Sequence, residues 1–227
     1  MDERPHFFRI WWGTLIRPDF AGTLVLEDSS QRGFTTWLLG AIFVLYAVFG
    51  ASMGLFGGGL PAFVSAIKLP FLYLGTALLC LPPLYVLNCL AGPGFTLREC
   101  LRLLFFLVSA NAAALASYAP ISYFFALTTS DDGYAFLVLM NTAVFAMAGA
   151  ASIVVNVLIL RSSARALGVE LNRLVFFAWA LLYGFVGTQA AWALRPWFSA
   201  PYLTYQPIRP VSGTFIQGVW DLIQRVM

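Results

Sequence analysis

Apolar residues in this chain are gathered into five long runs separated by short polar or glycine- and proline-rich breaks. The runs cover residues 36–56, 69–91, 101–127, 134–160 and 174–194, and no Lys, Arg, Asp or Glu lies in their interiors. About 20 mostly apolar residues are enough for a helix to cross a bilayer. The pattern therefore predicts an all-α polytopic membrane bundle of about five transmembrane helices, spanning residues 36–196.

Local signals mark the ends. Thr96-Leu97-Arg98-Glu99 has the spacing of a capping box and opens the third helix. Ser130-Asp131-Asp132-Gly133 is expected to cap the fourth and to place negative charge at its dipole-positive end. Asp131 and Asp132 could also hold a cation, though capping explains them. Arg161 and Arg165 follow the fourth run, Gly168 is a plausible stop, and Gly57-Gly58-Gly59 reads as a flexible turn after the first. Leu81-Pro82-Pro83-Leu84 and Pro120 should break or kink the second and third helices, because proline removes an amide donor. Such breaks serve substrate sites in transporters, but without a neighbouring charge a structural kink is the simpler reading.

Two flanking segments are expected to be interfacial amphipathic helices. In the N-terminal segment, residues 1–35, positions 7–17 set Phe8, Trp11, Trp12 and Leu15 on one helical face and Arg9, Gly13 and Arg17 on another. That suits the plane of a membrane surface; the alternative is a terminus packed on protein. Thr14 is expected on the wetter side. At the other end, residues 197–227 form a proline-rich arm ending in a second such helix, at 215–226.

Basic residues in alternate loops set the orientation. Nine of them, Arg4 to Arg32, Arg98, Arg102, Arg161, Arg165 and Arg173, fall on one side, and four, Lys68, Arg195, Arg209 and Arg225, on the other. The bias predicts a cytoplasmic N-terminus and an outside C-terminus, unless a sixth, re-entrant element reverses the tail.

Composition agrees. The chain is 60% hydrophobic and 10% charged, against about 45–50% and about 25% in soluble domains. The net charge of +3 comes from scattered arginines rather than a basic face, so nucleic acid is not an expected partner. Met1 to Pro5 lacks the basic start and short apolar core of a signal peptide, so the spans themselves are expected to direct insertion. Cys80, Cys89 and Cys100 form no CxxC pair and read as small hydrophobes, although Cys89 and Cys100 could approach one another.

Candidate chemistry is sparse. His6 stands alone, Gly57 to Pro61 lacks the Lys of a phosphate loop, and no nucleophile–base pair, metal set or cofactor motif is present. Asn88, Ser109, Asn111, Ser117, Asn141, Thr142, Asn156, Thr188 and Gln189 lie within the runs, as interhelical glue or as a polar conduction path. Four-residue pairs of small side chains, Gly54 with Gly58, Ala146 with Ala150, Gly184 with Thr188 and Gly187 with Ala191, suit close helix packing. Contacts to a partner or to lipid headgroups are expected from Arg195, Arg209, Trp197, Tyr202 and Tyr205 in the arm, and from Trp11 and Trp12. Arginine offers a planar fork to carboxylates or phosphates, and Trp and Tyr suit the headgroup level. The arm could instead fold back as a lid.

The segment Asp19 to Leu24, the proline-bearing second run and the five-run layout resemble the Yip1-domain membrane proteins. Phe185-Val186-Gly187-Thr188-Gln189, Leu194-Arg195-Pro196, Arg209-Pro210 and Gly213-Thr214-Phe215 resemble an uncharacterised bacterial group of Yip1-like proteins. The resemblance implies the fold and a bacterial inner-membrane location. The vesicle traffic and small-GTPase binding of eukaryotic members are not carried over, because the residues ahead of the first run are too few for their cytosolic domain. The expectation is a non-enzymatic scaffold or accessory subunit of a membrane assembly, without cofactor, associating with lipid and with other membrane proteins or itself. The alternative is a channel or small-solute transporter.

Overall fold

A computed structural model describes residues 7–26, 32–91, 94–130, 133–168, 173–194 and 216–217. Among these the regular structure is wholly helical: α1 Phe7–Ile16, α2 Pro18–Leu26, α3 Arg32–Gly54, α4 Gly59–Ala91, α5 Leu97–Thr128, α6 Tyr134–Ala166 and α7 Arg173–Ala193. Four stretches, Gly33–Gly57, Gly59–Leu90, Leu97–Thr128 and Tyr134–Ala166, are long and apolar enough to cross a membrane. The last three hold 32 or 33 residues, or about 48–50 Å of helix at about 1.5 Å per residue. A hydrocarbon core of about 30 Å takes them only if they tilt or project beyond it.

The capping box forms as expected. Thr96 Oγ1 accepts from Glu99 N at 3.4 Å and Thr96 N donates to Glu99 Oε2 at 2.6 Å, so α5 starts at Leu97, ahead of the apolar run. Just before it, Asn88 clamps the turn between α4 and α5: its Nδ2 donates to Phe95 O at 2.8 Å and its Oδ1 accepts from Phe95 N at 3.3 Å. Gly168 has the positive φ of a helix stop, 67°, and its amide donates to Arg165 O. At α6 the expected side-chain cap is replaced by Gly133, which makes no side-chain cap bond. Arg161 and Arg165 belong to the end of α6 itself.

The second helix differs most from expectation. It starts at Gly59, straight after a 3-10 turn at Leu55–Gly57 and Gly58 at φ 94°, so the glycines form a tight corner. Lys68, read as a loop residue, lies inside α4 and inside its candidate span. Pro82 and Pro83 do not break the helix, which runs on to Ala91. They cancel the amides owed to the Leu78 and Leu79 carbonyls. One residue further on, Cys80 O gains an outside donor, Trp179 Nε1, at 3.1 Å.

The helices pack in a recognisable order. α3 lies against α4 and α5, α6 lies against α5 and α2, and α7 lies along α4. The α3–α4 crossing is close. A Cβ built on Gly50 would stand 2.5 Å from Ser65 O, and one on Gly54 2.6 Å from Ala62 Cα. Small residues are what permit backbones to meet like this in lipid, where helix association rests on close packing. The pair that does so is Gly50 with Gly54; Ala146, Ala150, Gly184 and Thr188 face outward.

α7 is antiparallel to α4. Lys68 meets Leu194, Thr76 meets Gly187 and Cys80 meets Trp179, so rising numbers on one helix match falling numbers on the other. The N-terminal helices also dock on the bundle. Ala21 and Val25 of α2 are fully buried, and Arg102 of α5 donates to Val25 O at 2.9 Å, at the C-terminal end of α2.

Candidate functional site

Apolar runs give helices that can live in lipid, but each side-chain hydroxyl or amide within them needs a partner or a costly burial. Most of the hydroxyls are satisfied locally. Ser109 donates to Phe106 O, Ser117 to Ala114 O, Thr142 to Val138 O and Thr188 to Phe185 O, each on its own helix. Each of these four hydroxyls gives its proton to its own helix rather than to a neighbouring one. Ser122 and Asn141 do tie α5 to α6, the serine donating to Asn141 Oδ1 at 3.0 Å while Asn141 Nδ2 donates to Leu137 O.

The densest convergence lies around Tyr46, which is fully buried. Its ring stacks on Tyr73 of α4 at 4.4 Å and 6°. Phe145 of α6 meets Phe49 edge-on at 5.5 Å and approaches Tyr73 at 6.5 Å. From α7, Tyr183 brings a third phenol within electrostatic reach of Tyr46 and Tyr73, and its ring stacks on Trp179 at 5.5 Å. Helices α3, α4, α6 and α7 thus share one aromatic centre.

Helix α5 supplies the polar contact. Tyr46 Oη lies 3.0 Å from Val108 O and 3.0 Å from Asn111 Oδ1. A phenol has one proton and cannot serve both acceptors fully. Turning the Asn111 amide by half a turn resolves this: Tyr46 donates to Val108 O, and Asn111 Nδ2 donates to Tyr46 Oη. Such amide orientations are assigned from hydrogen-bond logic. The turn forgoes only the Asn111 Nδ2 to Ser152 Oγ contact, which at 3.5 Å is marginal. Ser152 keeps its bond to Gly149 O at 2.8 Å.

Four buried side-chain atoms among the described residues have no partner: Trp11 Nε1, Thr76 Oγ1, Asn156 Oδ1 and Tyr183 Oη. Each such group costs about 1–3 kcal/mol. Two cations are used at helix ends. Lys68 Nζ donates to Leu194 O at 2.9 Å at the end of α7, and Arg102 serves the end of α2. Last-turn carbonyls lack intrahelical donors and carry the negative end of the dipole, so a cation there is stabilising and loses less by leaving water.

Trp12 is exposed, with Phe8 stacked on it at 6.4 Å. Trp11 instead turns into the protein, meeting Trp37 edge-on at 6.3 Å, so it is a packing contact rather than part of an outward face. Thr14 is fully buried and not wet, because its proton goes to Trp11 O at 2.6 Å. The outward ridge of α1 is Phe8, Trp12 and Ile16. Arg195, Trp197, Tyr202, Tyr205 and Arg209 lie outside the described residues, as does most of the proline-rich arm. All three cysteines are free, Cys89 exposed and Cys80 and Cys100 buried. Among the described residues no three His, Cys, Asp or Glu side chains gather as a metal site.

Tyr46, Tyr73, Thr76, Trp179 and Tyr183 were not singled out by sequence reasoning, which counted the aromatics among them as apolar. The available signal was the polar tip itself, since a buried Tyr or Trp needs a hydrogen-bond partner. Comparison with family models, with curated proteins and with solved structures gave no match.

Proposed function

We propose that the chain is a non-enzymatic integral membrane protein with five spans that serves as a scaffold or accessory subunit of a membrane assembly. The fifth span is α7. Its 21 residues give about 31 Å of helix, the thickness of a hydrocarbon core. It runs beside α4 from the level of Trp179 and Cys80 to that of Leu194 and Lys68. With five spans the arginine bias puts the N-terminus in the cytoplasm of a bacterial inner membrane, the location that the Yip1-like resemblance also implies.

The observation that carries the functional reading is how the interior polar groups are used. Tyr46, Asn111, Ser122 and Asn141 bind one another or backbone carbonyls, and the cations Lys68 and Arg102 serve helix ends. A coupled transporter needs ionisable groups presented to a solute, and here the intramembrane cations are committed to structure. α7 docks chiefly on α4 and leaves Leu174, Phe177, Leu181 and Phe185 outward, an apolar side able to meet lipid or another membrane protein. The phenyl and indole ridge of α1 suits the cytoplasmic headgroup level.

The second reading is a channel or small-solute transporter, and the unpartnered Thr76, Asn156 and Tyr183 favour it. One pair of measurements separates the two. Mild extraction from the native membrane should recover the chain with a stoichiometric membrane-protein companion. The purified chain in liposomes should leave their permeability to water, ions and small neutral solutes unchanged. Recovery of the chain alone, together with permeable vesicles, contradicts the scaffold reading in favour of the channel.

A further inference from the structure

The seam between α4 and α7 holds two buried hydroxyls that no group among the described residues partners, Thr76 Oγ1 and Tyr183 Oη. A helical Ser or Thr in apolar surroundings commonly turns its proton onto a carbonyl of the preceding turn. Ser52, Ser109, Thr128, Thr142, Ser163 and Thr188 all do so here, at 2.7–3.1 Å. Thr76 does not, although it is only 3% exposed.

The two hydroxyls belong to one stretch of the seam. Tyr73 and Cys80, one turn either side of Thr76 on α4, are both within electrostatic reach of the Tyr183 hydroxyl. On the facing helix, Gly187 stands one turn beyond Tyr183. A Cβ there would rest 3.7 Å from Thr76 Cγ2, so glycine leaves the space beside Thr76 free of side chain. Each hydroxyl has one proton to give and lone pairs to receive one. Two such groups in one seam, beside a residue that has no side chain, suit a molecule that both donates and accepts and carries no charge.

We propose that this seam is a binding site for an ordered water molecule that bridges Thr76 Oγ1 and Tyr183 Oη. Buried water is held by two to four polar partners in proteins generally. A bridging water satisfies both hydroxyls at once and pins α7 to α4 between the Lys68–Leu194 and Cys80–Trp179 contacts. The neighbouring Tyr46 and Trp179 donate to protein carbonyls and so do not extend the bridge.

Water-edited solid-state NMR on the full chain in liposomes tests this. In the wild type, magnetisation should pass from water to Thr76 and Tyr183 several-fold faster than to Leu72 and Ala77, buried residues of the same part of α4. T76V should slow the transfer to Tyr183, and Y183F should slow the transfer to Thr76, because they share one molecule. Wild-type transfer as slow at Thr76 and Tyr183 as at Leu72 and Ala77 overturns the site. Fast transfer at both that neither variant alters overturns the bridge. The wild-type comparison stands even if a variant fails to fold.

Discussion

Alanine at Gly50 and Gly54 tests the α3–α4 crossing most sharply. At Gly50 the new Cβ would stand 2.5 Å from Ser65 O and 2.9 Å from Ser65 C, where real Cβ contacts do not fall below 3.0 Å. The gap of 3.0 − 2.5 = 0.5 Å is therefore the least by which α3 and α4 must separate. At Gly54 the obstacles are Ala62 Cα at 2.6 Å and Pro61 O at 2.7 Å. All of these are backbone atoms, so no rotamer change relieves the clash. Overpacking of this kind costs about 1–3 kcal/mol, set against up to about 1 kcal/mol gained from alanine's helix propensity. Gly40, Gly75 and Gly149 have nothing within 4 Å of the same built atom and should show the gain alone. G50A and G54A should each fall roughly 2 kcal/mol below G75A, or about 4–8 °C in melting temperature. Thermal unfolding in detergent, followed by tryptophan fluorescence and by loss of the monodisperse peak, measures the difference. G50A melting at or above G75A would refute the close crossing.

Three further outcomes are expected. N88A strands the buried Phe95 amide and carbonyl, which should cost about 1–3 kcal/mol in the same melting assay, whereas L90A on the exposed side should be near neutral. K68M removes the amine from Leu194 O and should lower stability by about 1 kcal/mol, with K68R closer to wild type; equal losses in K68R and K68M would point to packing of the stem instead. Replacing Phe8 and Trp12 together with Ser should weaken contact of α1 with lipid, read as reduced quenching of a probe at Ile16 by headgroup-labelled lipid. Unchanged quenching removes the interfacial role of that ridge.

The parts of the fold governed by short-range rules were legible in the residues. Thr96 and Glu99 stand three apart, and that spacing alone dictates two reciprocal bonds. Gly168 stops α6 because it takes a positive φ at no steric cost. What escaped was decided between helices. Lys68 reads as a loop residue because its charge interrupts an apolar run, yet a long side chain can reach the end of another helix, and nothing local announces Leu194 O as its target. Pro82-Pro83 reads as a break or a kink because two amides are lost, yet the helix runs on to Ala91, and neighbouring helices can make up the lost bonds. Thr14 looked wet because it is a hydroxyl residue, but a proton turned onto its own helix allows full burial. The aromatic centre was hidden by classing Tyr as apolar: only assembly of α3, α4, α5, α6 and α7 shows which phenols meet.

The five-span bundle is tested most directly by sulfhydryl labelling in intact and opened cells, with cysteines introduced one at a time at Ser130, Leu167 and Ser212 in a background lacking Cys80, Cys89 and Cys100. Ser130 precedes α6, Leu167 follows it and Ser212 lies beyond α7. Leu167 should label only after the cytoplasm is opened, and Ser130 and Ser212 should both label from outside in intact cells. Labelling of Ser212 from the same side as Leu167, opposite to Ser130, would show that α7 does not cross the membrane and would contradict the account.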